Sequence, residues 1–170
     1  MQDETRRQIA DIQLVPDRPL LIVDADEVLV HFAQPFTRYL EAREWELRLT
    51  EYRLEYAIRR ANGTVADPDK TFELVHDFID SETRRQPEID GAALALSELA
   101  QQAQVVVLSN VPQRRYQDRL ANLLGHGMAF PLVANSGPKG PALLALASKM
   151  TAPVAFVDDS PAQIESAAEH

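Results

Sequence analysis

The chain has 170 residues, no cysteine, a net charge of −9 and an apolar fraction of 45%. That length holds one domain with a real core and a small insert, but hardly two full domains. Disulfides, thiolate metal sites and cysteine nucleophiles are excluded, the acidic balance argues against a nucleic-acid surface, and no apolar run approaches the roughly 20 residues of a membrane span.

Met1-Gln2-Asp3-Glu4 lacks signal-peptide character, so the expected compartment is the cytoplasm. Residues 2–14 fit a short amphipathic helix anchored by Ile9, Ile12 and Leu14, after which Pro16 and Pro19 break the chain. Leu20-Leu21-Ile22-Val23 is a continuous apolar run, the pattern of a strand buried on both faces of a parallel sheet, and it runs into Asp24-Ala25-Asp26. From Phe32 to Pro87 the pattern turns helical. Phe36, Tyr39, Leu40 and Arg43 recur at helical spacing, as do Phe72, Val75 and Ile79, with Asn62-Gly63 and Asp67-Pro68 as turns between them. This stretch has the only tryptophan and no convincing strand, and reads as a small helical insert.

Asp90-Gly91 opens an Ala/Leu-rich helix to about Gln102. A second buried strand, Val105-Val106-Val107-Leu108, runs into Ser109-Asn110. Pro112 suits the first turn of a helix carrying Tyr116, Leu120, Leu123 and Leu124, closed by Gly125. Pro131-Leu132-Val133-Ala134 forms a short strand, and Lys139 sits on the turn Gly137-Pro138-Lys139-Gly140. Pro141 opens a helix through Met150, Val154-Ala155-Phe156-Val157 is a third buried strand ending in Asp158-Asp159, and Ser160-Pro161 starts a final helix. The Arg-Arg pairs at 6–7, 59–60, 84–85 and 114–115 are scattered and read as solvated helix faces. Alternating strands and helices of these lengths give an α/β fold with right-handed crossovers.

In such sheets ligands bind beyond the carboxyl ends of the strands. Three runs ending in Asp-x-Asp, Ser-Asn and Asp-Asp would gather four carboxylates, a hydroxyl and the Lys139 ammonium around one crevice. Two carboxylates at about 4 Å repel by roughly 4 kcal/mol at an effective dielectric of 20, so some stay protonated or a metal ion neutralises them. An all-oxygen ligand set favours Mg²⁺, which usually also holds a phosphate. A metal, an ammonium and a hydroxyl around one pocket suit the charge of phosphoryl transfer, and a carboxylate can itself attack phosphorus. Taken singly, each residue has a plainer account: Asp159 and Ser160 can cap the final helix, Asn110 the helix after Pro112, and Lys139 can be a solvated loop lysine.

Asp24-Ala25-Asp26, Ser109, Lys139 and Asp158-Asp159, in that order and in strand or turn context, resemble the four motifs of the haloacid dehalogenase-like superfamily. The resemblance spans residues 20–160 and implies a Rossmann-like, three-layer core with a parallel sheet, made of residues 1–31 and 88–170. Residues 32–87 would be the helical cap inserted after the first strand. It implies Asp24 as nucleophile and metal ligand, and Asp26 as general acid and base whose backbone carbonyl also binds the metal. Ser109, Asn110 and Lys139 would hold the phosphoryl group, with Lys139 neutralising charge, and Asp158 and Asp159 would hold Mg²⁺. A carboxylate at Asp26 favours phosphoryl chemistry over dehalogenation, which has no leaving alcohol to protonate.

Two departures stand out. The position after Asp26, usually glycine in the family, is Glu27, which either points away from the site or disfavours anionic substrates. Only about ten residues follow Asp159, so the core is expected to be truncated at its C-terminal edge. The reading is a cytoplasmic Mg²⁺-dependent phosphatase acting on a small phosphomonoester, its partner being that phosphorylated substrate rather than nucleic acid or membrane. The alternatives are a non-catalytic protein that binds phosphate and Mg²⁺, and a phosphomutase.

Overall fold

The three apolar runs pair with one another as parallel strands. The computed structural model describes residues 1–48 and 56–170. In it β1 (Leu20–Val23) lies between β4 (Gln104–Ser109) and β6 (Val154–Val157), and β5 (Leu132–Ala134) flanks β4, giving a four-stranded sheet of order β5-β4-β1-β6. The register sets Val23 beside both Val107 and Val157, so the strands end at one edge of the sheet. The architecture is α/β, with a parallel sheet between two helical layers.

On one face Val23, Val105 and Val107 pack with Ala92 and Leu96 of α4 (Ala92–Leu99) and Leu123 of α5 (Tyr116–Gly125). On the other, Leu20, Ile22, Val106 and Leu108 meet Ile9 of α1 (Asp3–Asp11) and Ala142, Leu143 and Leu146 of α6 (Gly140–Ala147). Burial on both faces explains why β1 and β4 are continuous apolar runs rather than alternating ones.

The expectation of burial on both faces fails for β6. Among the described residues it pairs with β1 alone, and Val154 and Val157 are exposed. An edge strand has a neighbour on one side only, and the short α7 (Pro161–Ala168) that follows leaves these side chains uncovered.

Between β1 and α4, two helices, α2 (Ala33–Glu41) and α3 (Pro68–Glu82), surround a separate apolar cluster of Phe36, Tyr39, Leu40, Trp45, Ile58, Leu74 and Phe78. Helical spacing located both helices, but the buried positions of α3 are Leu74 and Phe78 while Phe72 of the expected stripe is exposed. Asp67 caps α3 by accepting from the Lys70 backbone N–H at 2.7 Å. The expectation of no strand in this stretch is corrected. β2 (Glu46–Leu47) pairs antiparallel with β3 (Ile58–Arg59), and Asn62-Gly63 turns β3 back so that Arg59 bridges Val65. Strands of two residues are too short to show a two-residue period. No helix among the described residues is long and apolar enough to cross a membrane.

Candidate active site

The parallel register delivers the polar ends of β1 and β6 side by side. The Asp24 backbone N–H donates to the Val157 carbonyl at 2.9 Å, extending the ladder one residue past β1, and Asp158 follows directly. Lys139 is 1% exposed, and its Nζ lies 2.6 Å from Asp24 Oδ1 and 2.6 Å from Asp158 Oδ2. Two neighbours fix the backbone there: Lys139 N–H donates to Gln163 Oε1 at 2.9 Å and Gly140 N–H to Ser166 Oγ at 3.0 Å, so α7 orients the start of α6. The Ser160 N–H donates to Asp158 Oδ1 at 2.9 Å and holds that carboxylate in place.

Asp24, Asp158 and Asp159 each bring a carboxylate oxygen within 4.8 Å of the others. One ammonium cannot balance three carboxylates. Burial, reinforced by Asp26 and Asp158 and opposed by Lys139, pushes the Asp24 carboxyl up to about 7. Burial and the neighbouring Asp158 also push Asp159 upward. Among the described residues, the buried Ser109 hydroxyl has no hydrogen-bond partner, and Asp24 Oδ1 accepts no hydrogen bond beyond its ion-pair contact with Lys139. A buried hydroxyl without a partner is costly, as is a buried charge surplus. An all-oxygen set with excess negative charge fits a hard divalent cation such as Mg²⁺, and the Ser109 hydroxyl fits an anion's oxygen.

Asp26 sits differently from its neighbours. Its Oδ1 accepts from Arg119 Nη2 at 2.7 Å and from Gln86 Nε2 at 2.8 Å. Asn110 turns its side chain to the adjacent loop: Nδ2 donates to the Gly137 carbonyl at 2.9 Å and Oδ1 accepts from Asn135 Nδ2 at 2.9 Å. It thereby ties the loop after β4 to the turn before α6. Glu27 adopts a left-handed φ of 56°, the region that favours glycine. Its Oε1 accepts from the backbone N–H groups of Phe32 and Ala33, both at 2.6 Å, and so caps α2. His31 pairs its backbone N–H with the Pro87 carbonyl at 2.8 Å, joining the two crossings between sheet and insert.

Two groups near the site escaped the sequence reading. Arg119 and Gln86 are both 2% exposed and both reach Asp26. A signal for Arg119 existed: it stands at helical spacing between Tyr116 and Leu123, an arginine on a buried stripe. The expected stripe on α5 is corrected accordingly, since Leu124 is exposed while Arg119 and Asn122 are buried. The pair Arg114-Arg115, read as a solvated face, instead joins Asp80 of α3, with Arg114 Nη2 at 3.0 Å and Arg115 Nε at 2.9 Å. A groove of about 460 Å³ lies beside this clasp, lined by His76, Asn110, Arg114 and Asn135 among others.

No protein-family model matches the sequence, and no curated protein matches it either. Solved structures do match in shape. A haloacid dehalogenase-like protein of unknown function from Agrobacterium tumefaciens has a TM-score of 0.58 at 23% identity, covering 88% of this chain and 78% of its own. A hydrolase of the same family from Deinococcus radiodurans, solved with bound phosphate and sodium, has a TM-score of 0.57 at 20% identity, covering 89% and 76%. A candidate β-phosphoglucomutase from Thermotoga maritima has a TM-score of 0.54 at 19% identity, covering 89% and 81%. The chain has the haloacid dehalogenase-like fold.

Proposed function

We propose that this chain is a Mg²⁺-dependent phosphohydrolase that cleaves a small phosphomonoester through an aspartyl-phosphate on Asp24. The observation that carries the reading is the cluster of Asp24, Asp158 and Asp159 around the buried Lys139. Asp24, Asp158, Asp159 and the backbone carbonyl of Asp26 would hold the metal. Bound there, Mg²⁺ supplies positive charge against the phosphoryl oxygens and favours the ionised form of Asp24.

Asp24 attacks phosphorus with a carboxylate oxygen while the bond from phosphorus to the ester oxygen breaks. Asp26 gives its proton to that departing oxygen, releasing an alcohol and leaving a carboxylate. The same carboxylate then takes a proton from water as its oxygen attacks phosphorus. The bond to Asp24 breaks, freeing inorganic phosphate and restoring both aspartates. Lys139 offsets charge on Asp24 and the transferring group, and the Ser109 hydroxyl donates to a phosphoryl oxygen.

The test is phosphate release from a panel of phosphate esters with Mg²⁺ or EDTA. Turnover should require Mg²⁺ and vanish in Asp24→Asn; undiminished turnover in that variant refutes the assignment. The likeness to a candidate β-phosphoglucomutase favours a second reading, a phosphomutase, which would depend on a bisphosphate activator and release little net phosphate.

A further inference from the structure

We infer that Arg119 is a positioning residue for proton transfer by Asp26, acting together with Gln86. The inference rests on the proton role proposed for Asp26. Arg119 is among the largest fully buried side chains described. Its Nη2 and the Nε2 of Gln86 both donate to Asp26 Oδ1, at 2.7 and 2.8 Å. Among the described residues no hydrogen bond reaches Asp26 Oδ2, and the side chain is 27% exposed. One oxygen is held from two directions and the other is left for a reacting partner.

The donors are themselves fixed. Arg119 Nη1 donates to Asn122 Oδ1 at 3.3 Å, and Asn122 Nδ2 donates to the Gln86 carbonyl at 2.8 Å. The set closes into a ring through α5. Gln86 Nε2 also donates to the His31 carbonyl at 3.1 Å, so the orientation of Asp26 is tied to both crossings between sheet and insert.

A purely structural ion pair explains this geometry less well. Arginine commonly meets a carboxylate with two parallel N–H bonds. Here one N–H meets one oxygen, which is shared with an amide, so the second carboxylate oxygen stays open. A buried ion pair is also weak evidence for stability, since apolar residues of similar volume often serve as well. What the arrangement does supply is a fixed direction for Oδ2.

The experiment compares wild type, Arg119→Met and Gln86→Met on p-nitrophenyl phosphate and glycerol phosphate, with folding checked by thermal melts. Nitrophenolate leaves without a proton, whereas an alkoxide needs one. In the variants the single-turnover rate of aspartyl-phosphate formation should fall about tenfold to a hundredfold with glycerol phosphate and change little with p-nitrophenyl phosphate, whereas hydrolysis of the intermediate, common to both esters, slows alike. Equal losses in that first step on the two esters, or no loss, overturn the inference. If Arg119→Met does not fold, Gln86→Met carries the same comparison. A wild type inactive on both esters would defeat the proposed function instead, and crystal structures then decide the positioning role. The Asp26 carboxylate should turn in the variants, and an unchanged orientation overturns the role.

Discussion

At the scale of the residue, Asp24 sets both the chemistry and the cost of the site. Its carboxyl is pushed from an ordinary 3.8 to about 7, chiefly by burial. The folded protein therefore binds this proton more tightly than the unfolded chain. The associated stability is fully present below the ordinary value and is lost as pH rises through about 7. In EDTA, the stability of Asp24→Asn relative to wild type in denaturant melts should rise from pH 5 to pH 8, and an equal difference at both pH values would contradict this. The acidic residues were legible because polar groups at the end of a buried strand have little structural reason to be there. Glu27 was legible as a charge but not as a cap, because its direction follows from a left-handed turn that brings it under α2. Asn110, expected beside the phosphate and as a shaper of its loop, bonds that loop to Gly137 and Asn135.

At the scale of the element, α7 matters more than its length suggests. It fixes the Lys139 and Gly140 backbone through Gln163 and Ser166. A methyl group on Gly140 would collide with the Ser166 carbonyl and come within 2.8 Å of Ser166 Oγ. Gly140→Ala should displace α7 and cost about 1–3 kcal/mol, read as a lower denaturation midpoint, and it should lower turnover by shifting Lys139. A variant as stable and active as wild type would show that α7 yields freely. The helices of the insert were readable from aromatic spacing, whereas its ribbon was not, since β2 and β3 exist only through pairing across the chain.

At the scale of the whole molecule, the stretch 32–87 has its own apolar cluster, and ion pairs tie it to the segment after β4. They form the clasp of Asp80 with Arg114 and Arg115, whose guanidiniums outweigh the effect of burial and hold the Asp80 carboxyl below its ordinary value. These groups are partly exposed, so solvent and salt weaken the clasp. Asp80→Ala should speed amide exchange in α3 at low salt, with the difference shrinking at high salt; a difference indifferent to salt would exclude an electrostatic clasp. The sequence by itself determined the four strands of the parallel sheet, most helices and the residues that gather at Lys139, because strands inside the core are apolar and their ends are where polarity returns. The tertiary structure alone decided that the side chains of β6 are exposed, that Glu27 serves α2 and that Arg119 reaches Asp26. Those outcomes depend on which segments pack together, and neither composition nor periodicity encodes a contact between residues 93 positions apart.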